Sequence, residues 1–283
     1  MIPNLMDEAD YYFVDAHCHL CAEEFDSDLD EVMNHAKNAR VRACLVNTEF
    51  RSEFPKVLSL AQQYPGTVIP CMGIHPVQYN ADNSARSVNE VDLGNDFEAE
   101  FVKHVEQLVA VGEVGLDFTP RYLNSPEGPE HDKLTQRSVF QRQITAASKA
   151  QLPVICHSRS AGRYVIEELC SAGIERALLH AFDGNFKSAK AGIDAGYYFS
   201  VPPSIVRSEQ KQSLFANIPF DQILLETDSP VLGPRKDERN TPSNIVISAE
   251  YIAKLKNVTV AEVAKRTTAN ALRLFPKLKQ MMK

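Results

Sequence analysis

The sequence has no apolar stretch approaching the roughly 18 uncharged residues that a membrane span requires, and this argues against a helical integral membrane protein. It also lacks the basic leader of a secreted chain. The opening MIPNLMDEADYY is acidic, so a cytoplasmic or nuclear location is expected. There is no low-complexity tract and no long run of like charge. Positive charge is in short supply: the formal net charge is −7, so a broad basic face that grips a long duplex is not expected and any nucleic-acid substrate must be held locally. The six cysteines have neither zinc-finger spacing nor the pairing of a disulfide framework, and they read as reduced thiols. Cys18 and Cys21 form a CxxC, but His19 lies inside it and no thioredoxin-like helix opens there, so it is not read as a redox motif.

What remains is an ordinary globular composition, 44% hydrophobic and 24% charged, over 283 residues. That length suits one α/β barrel of about 250 residues as well as it suits two smaller domains. The pattern decides. Eight short runs rich in β-branched and aromatic residues (YYFVDAH, ACLVNT, TVIPCMGIHP, LVAVGEVGLDF, LPVICHS, RALLHAF, GYYFSVP and ILLETDSP) alternate with segments whose apolar residues recur at threes and fours, such as SEFPKVLSLAQQY and GRYVIEELCSA. Strand then helix, eight times over, predicts a single (β/α)8 TIM barrel spanning residues 1–283, with NIVISAEYIAKLK and VAEVAKRTTANALRLF completing the outer ring.

Ionisable residues embedded in these runs fall at the C-terminal ends of the strands, where barrel enzymes assemble their active sites. His17 and His19 end the first strand and, two residues apart, face the same side. Glu113 ends the fourth strand, His157 the fifth, His180 the sixth and Asp228 the eighth. One such histidine is usually a hydrogen-bonded structural residue. Six residues on five strands are different: buried carboxylates without counter-charge cost several kcal/mol each, whereas imidazole and carboxylate together suit a divalent cation. Four imidazoles and two carboxylates exceed the needs of one tetrahedral ion, so two ions sharing a carboxylate are expected, with His17, His19 and Asp228 on one, His157 and His180 on the other, and Glu113 bridging.

At these positions the sequence resembles the TatD family of metal-dependent deoxyribonucleases, a branch of the amidohydrolase-like barrels. The matching segments are VDAHCHL, GIHPVQY, VGEVGLDF, PVICHSRSAG, LLHAFDG and LLETDSPVLGP, in order over nearly the whole chain. HSRSAGR, HAFDG and SVPPSI are most similar to the animal TatD-domain-containing protein 3 group of that family. The resemblance implies a hydrolase of phosphodiesters, exonuclease-like or acting at apurinic sites, with two divalent ions, Zn²⁺, Mg²⁺ or Mn²⁺, and with DNA or another phosphate ester as substrate. It places His17, His19, Glu113 and Asp228 on the first ion and Glu113, His157 and His180 on the second. One departure is that many bacterial members read HCFSG where this chain reads HAFDG, so Asp183 adds an acidic group at the mouth.

Glu113 and Asp228 are the candidate catalytic carboxylates, with Asp228 either a proton shuttle or a ligand only. Arg159, two residues beyond His157, carries a fork suited to phosphate oxygens, unless it is a surface ion pair. His75 before Pro76 is a phosphate contact by the family match, with a structural histidine as the alternative. In the eighth loop, Arg235, Lys236, Arg239 and Asn240 are further candidates for the next phosphate along a strand. Two other activities stay open. A phosphomonoesterase for small phosphates fits the acidic charge, and an amidohydrolase cleaving a C–N or lactone bond fits the barrel. Many amidohydrolases bridge their metals with a fourth-strand lysine, and LVAVGEVGLDF has none. Nothing in the sequence points to a membrane or to an obligatory protein partner.

Overall fold

The computed structural model describes residues 11–283; the acidic opening of the sequence, residues 1–10, lies outside the described residues. Ten strands follow in chain order: β1 (Phe13–Cys18), β2 (Val41–Val46), β3 (Val68–Met72), β4 (Val77–Tyr79), β5 (Ala85–Ser87), β6 (Ala110–Gly115), β7 (Val154–His157), β8 (Ala177–Leu179), β9 (Tyr198–Val201) and β10 (Ile223–Leu225). Eight of them form one parallel sheet in the order β1-β2-β3-β6-β7-β8-β9-β10, and β4 with β5 makes a separate antiparallel hairpin. The eight are the eight apolar runs of the sequence, and the sheet curls into a (β/α)8 barrel with helices outside. At the seam the first and last strands meet through two bonds at the mouth, from Asp228 N–H to the His17 carbonyl (2.9 Å) and from His19 N–H to the Ser229 carbonyl (2.8 Å).

Continuous burial along the strands follows from parallel pairing, which covers both faces. Val14, Ala16, Ala43, Leu45, Ile69, Cys71, Ile155, Leu178 and Leu224 fill the barrel interior. Leu274, Phe275, Leu278 and Met282 from the C-terminal segment close its floor, where Arg42 hydrogen-bonds the Met282 carbonyl. A larger apolar layer lies between strands and helices. With the floor sealed by hydrocarbon, polar chemistry is confined to the opposite end.

Between β3 and β6 the structure is richer than the sequence pattern suggests. The run TVIPCMGIHP is a strand only to Met72. Its remainder turns into the hairpin, and helices Glu90–Leu93 and Phe97–His104 follow before β6. Gly73 is the residue that this turn requires: a Cβ there would sit 2.7 Å from the Glu113 carbonyl oxygen and from Val114 Cγ1, closer than packed atoms come. Among the described residues no helix is long and apolar enough to cross a membrane.

Candidate metal centre

Each chemical residue arrives at the mouth because a strand ends beneath it. His17 closes β1 and His19 follows it, so their Nε2 atoms lie 3.0 Å apart. Glu113 is inside β6, tied by its N–H to the Thr48 carbonyl (3.0 Å). His157 ends β7, and His180 follows β8 with its N–H bonded to the Cys156 carbonyl (3.2 Å). Asp228 lies three residues past β10 with φ +54°, a left-handed conformation that aspartate tolerates better than most residues. All six are buried.

The six side chains fall into two groups that share Glu113. Its Oε2 is 3.4 Å from His17 Nε2 and 3.3 Å from His19 Nε2, and Asp228 Oδ1 lies 3.3 and 3.2 Å from the same two nitrogens. These are the separations expected along the edges of a tetrahedron, about 3.3 Å, when ligands stand about 2.0–2.1 Å from a central ion. The other oxygen, Oε1, is 2.7 Å from His180 Nε2, 2.9 Å from His157 Nδ1 and 3.6 Å from His75 Nε2. Three overlapping clusters of buried imidazole and carboxylate, His17 with His19 and Glu113, His17 with His180 and Asp228, and His75 with Glu113 and His157, are close enough to suit a divalent cation. A further cluster, Asp15, Cys18 and Cys44, does not fit. Asp15 is already engaged, accepting bonds from Thr227 N–H (2.9 Å), the Thr227 hydroxyl and His17 N–H, and burial pushes the Cys18 thiol up.

Without a cation the centre balances its own charge. Burial favours neutral imidazole at His19, His157 and His180, yet the facing carboxylates more than offset it. His180 is raised to about 10 beside Glu113 and Glu226, and His19 and His157 also lie above the ordinary histidine range. In return Glu113 is held well below the usual carboxylate range, burial being outweighed by His180 and its other imidazole neighbours. Asp228 is held low by its bonds to His17 and His19.

The residues around this centre answer the other expectations unevenly. His75 is brought to it: burial keeps the ring neutral, and its Nδ1 lies 3.0 Å from the Val77 N–H and 3.1 Å from the Val77 carbonyl. Arg159 lines the same cavity, 3.9 Å from Asp117 Oδ2. Arg239 and Asn240 are not brought there. Arg239 pairs with Asp28, bonds the Glu24 carbonyl and lies over the Phe25 ring at 5.1 Å. Asn240 is fully buried, donating to the Thr227 (2.7 Å) and Val231 (2.8 Å) carbonyls and accepting from Thr241 N–H (3.0 Å) and Asn244 Nδ2 (2.8 Å), so its side chain fixes the shape of the eighth loop. Arg235 is paired with Glu238, and neither it nor Lys236 lines the cavity.

Several residues outside the expected set belong to the site. Asp117 Oδ2 sits 3.0 Å from His157 Nε2, orienting the ring whose Nδ1 faces Glu113; burial works against its charge, but His157 holds it down at about 2. Lys211 lines the mouth with its ammonium 2.6 Å from the Ala181 carbonyl, and burial lowers its pKa. Two buried glutamines on the helix Pro129–Ala150 each clasp one backbone residue. Gln143 accepts from Ile74 N–H (2.8 Å) and donates to its carbonyl (3.1 Å), and Gln136 does the same for Asp117 (2.8 and 2.9 Å). The signal was in the sequence: Lys211 with Leu214 and Phe215, and Gln136 and Gln143 with Val139, Phe140 and Ile144, are polar residues in otherwise apolar helical stripes.

Comparison with known proteins gives the family and the fold. The profile of the family described as TatD related DNase matches residues 14–276. The chain is 50% identical over 270 residues to the human protein named deoxyribonuclease TATDN3, covering 95% of this chain and 96% of that one. It is 34% identical to the Bacillus subtilis protein named uncharacterized metal-dependent hydrolase YabD, covering 92% and 98%. Among solved structures, the TatD homologue YJJV of Escherichia coli superposes with a TM-score of 0.80 at 26% identity, covering 93% of this chain and 98% of that one.

Proposed function

The chain belongs to the family of TatD-related DNases, and from that premise we propose that it hydrolyses phosphodiester bonds of DNA with two divalent ions. One observation carries the two-ion reading: the two oxygens of Glu113 face different histidine groups, Oε2 toward His17 and His19 and Oε1 toward His157 and His180. His17, His19, Glu113 and Asp228 would hold one ion; Glu113, His157 and His180 would hold the other. Ions bound there supply Lewis-acid activation of water and neutralisation of phosphate charge. Imidazole-rich ligation favours Zn²⁺ on affinity, while Mg²⁺ and Mn²⁺ suit phosphate chemistry.

The protein's own groups do the rest. Asp228 turns Oδ1 to the two first-strand histidines, which leaves its other carboxylate oxygen to take a proton from the attacking water. His75, neutral and anchored through Nδ1 to Val77, presents Nε2 at the centre for a phosphate oxygen. Arg159 and Lys211 give the same wall of the cavity two cationic groups for phosphate. The cavity, about 1090 Å³, exceeds the needs of a small phosphate ester alone, which favours a nucleic-acid end over a phosphomonoester. β6 offers Glu113 and no lysine, so the amidohydrolase reading lacks its usual bridging group.

The test runs metal-loaded protein against end-labelled DNA and p-nitrophenyl phosphate in parallel, with and without excess EDTA. DNA cleavage that EDTA abolishes and added Mn²⁺ or Zn²⁺ restores is the expected result. Full activity in EDTA would end the metal reading, and turnover of the small ester alone would make the enzyme a phosphomonoesterase.

A further inference from the structure

The cavity has two chemically different walls. Arg159 and Lys211 stand on one; the other carries three aromatic rings from three successive barrel connections: Phe50 after β2, Tyr79 on the hairpin and Tyr122 after β6. Alternation along the hairpin puts one of them there. Val77 and Tyr79 face the cavity in line with His75, while Gln78 between them turns away and bonds the carbonyls of Glu49 (3.0 Å) and His75 (2.9 Å). One short strand therefore runs from an imidazole at the metal centre to a phenol at the rim.

That phenol is 54% exposed, although its neighbour Gln78 is 6% exposed. One side of its ring is nonetheless packed, and the hairpin that carries it is tied down. Phe50 packs against it with centroids 5.8 Å apart and planes at 53°, and Asn124 Nδ2, from the connection that carries Tyr122, bonds the Ala85 carbonyl of the hairpin (3.2 Å). Tyr122 is in turn covered on one face by Arg121, whose guanidinium lies 4.6 Å from the ring centroid. A held, solvent-facing aromatic surface that continues into a phosphate-handling centre has the form of a stacking platform, since every nucleobase offers a π-face to such a ring.

We propose that Tyr79, backed by Phe50, stacks the nucleobase next to the phosphate held at the metal centre. Acidic groups on that side, Glu23, Glu24, Glu49 and Glu53, with Asp26 already paired to Lys56, disfavour further phosphates there and suit an uncharged base. This inference rests on the phosphodiesterase reading and names which part of a nucleic acid the site holds.

The test compares wild type, Tyr79→Ala and Tyr79→Phe on single-stranded oligonucleotides that differ only in bearing a base or a tetrahydrofuran abasic analogue beside the scissile bond. Tyr79→Ala should lower kcat/KM about 5- to 100-fold on the base-bearing strand, leave the abasic strand within about twofold, and be rescued by Tyr79→Phe. A 2-aminopurine at that position should be quenched on binding to wild type and not to Tyr79→Ala. Equal losses on both strands, or equal quenching in wild type and Tyr79→Ala, would overturn the stacking. If wild type cleaves neither strand, the phosphodiesterase reading falls by itself, and the quenching comparison still decides the stacking.

Discussion

Asp228 holds two roles in one carboxylate, and an amide separates them. Asp228→Asn keeps an oxygen toward His17 and His19 but cannot accept a proton, so metal content should stay near wild type while turnover falls about 100- to 10,000-fold, measured by elemental analysis beside steady-state kinetics. Near-normal turnover with both ions bound would reduce Asp228 to a ligand. If activity instead falls in step with occupancy and recovers when metal is raised, the same conclusion holds. The low pKa that His17 and His19 impose on Asp228 belongs to the cation-free centre, where those rings face it directly. An ion held by those ligands would face the same oxygen.

Among the elements, the helix Pro129–Ala150 does the most for the site without touching it. Gln143 and Gln136, seven residues apart and therefore on one face, hold the backbone at Ile74 and Asp117, which precede His75 and support His157 respectively. Gln143→Leu leaves a buried N–H and a buried carbonyl unpaired and should cost about 2–5 kcal/mol in urea unfolding, with a fall in kcat/KM as His75 shifts. Gln143→Glu keeps the acceptor for the Ile74 N–H and should lose less. A Leu variant as stable as wild type would show that the clasp is dispensable. These glutamines mark where the sequence stopped being legible. The eight strands and the six ligand candidates could be found because a charged residue at the end of an apolar strand has few explanations. The hairpin was hidden because GIHPVQY continues the apolar character of β3 through a turn that only the contact at Gly73 enforces. Arg239 and Asn240 looked like substrate contacts because a polar loop beside a mouth gives no sign of folding back onto Asp28 and the Thr227 carbonyl.

For the whole molecule, the metal centre and the protonated histidines compete for the same carboxylates. His19, His157 and His180 have raised pKa values in the cation-free fold, so they stabilise it fully below about pH 6.5, the ordinary histidine value, and that stabilisation is lost as pH climbs toward the value near 10 given for His180. Binding an ion must displace those protons, so it strengthens over the same range. At saturating metal, loaded protein should melt roughly 5–10 °C above EDTA-treated protein near neutral pH, and the gap should widen between pH 6 and pH 8 in thermal unfolding scans. A gap independent of pH would mean that no proton leaves when metal enters. The seam gives this competition a place in time. Each other neighbouring pair of barrel strands is joined by its own ladder, whereas β1 and β10 meet through the amide of Asp228 and the carbonyl of His17, the backbones of two ligands. Most of the chain separates these residues, so a ribosome must deliver nearly all of it before the first ligand set exists. The set of His17, His19, Glu113 and Asp228 is therefore completed only as the ring closes, after Glu113, His157 and His180 have all emerged.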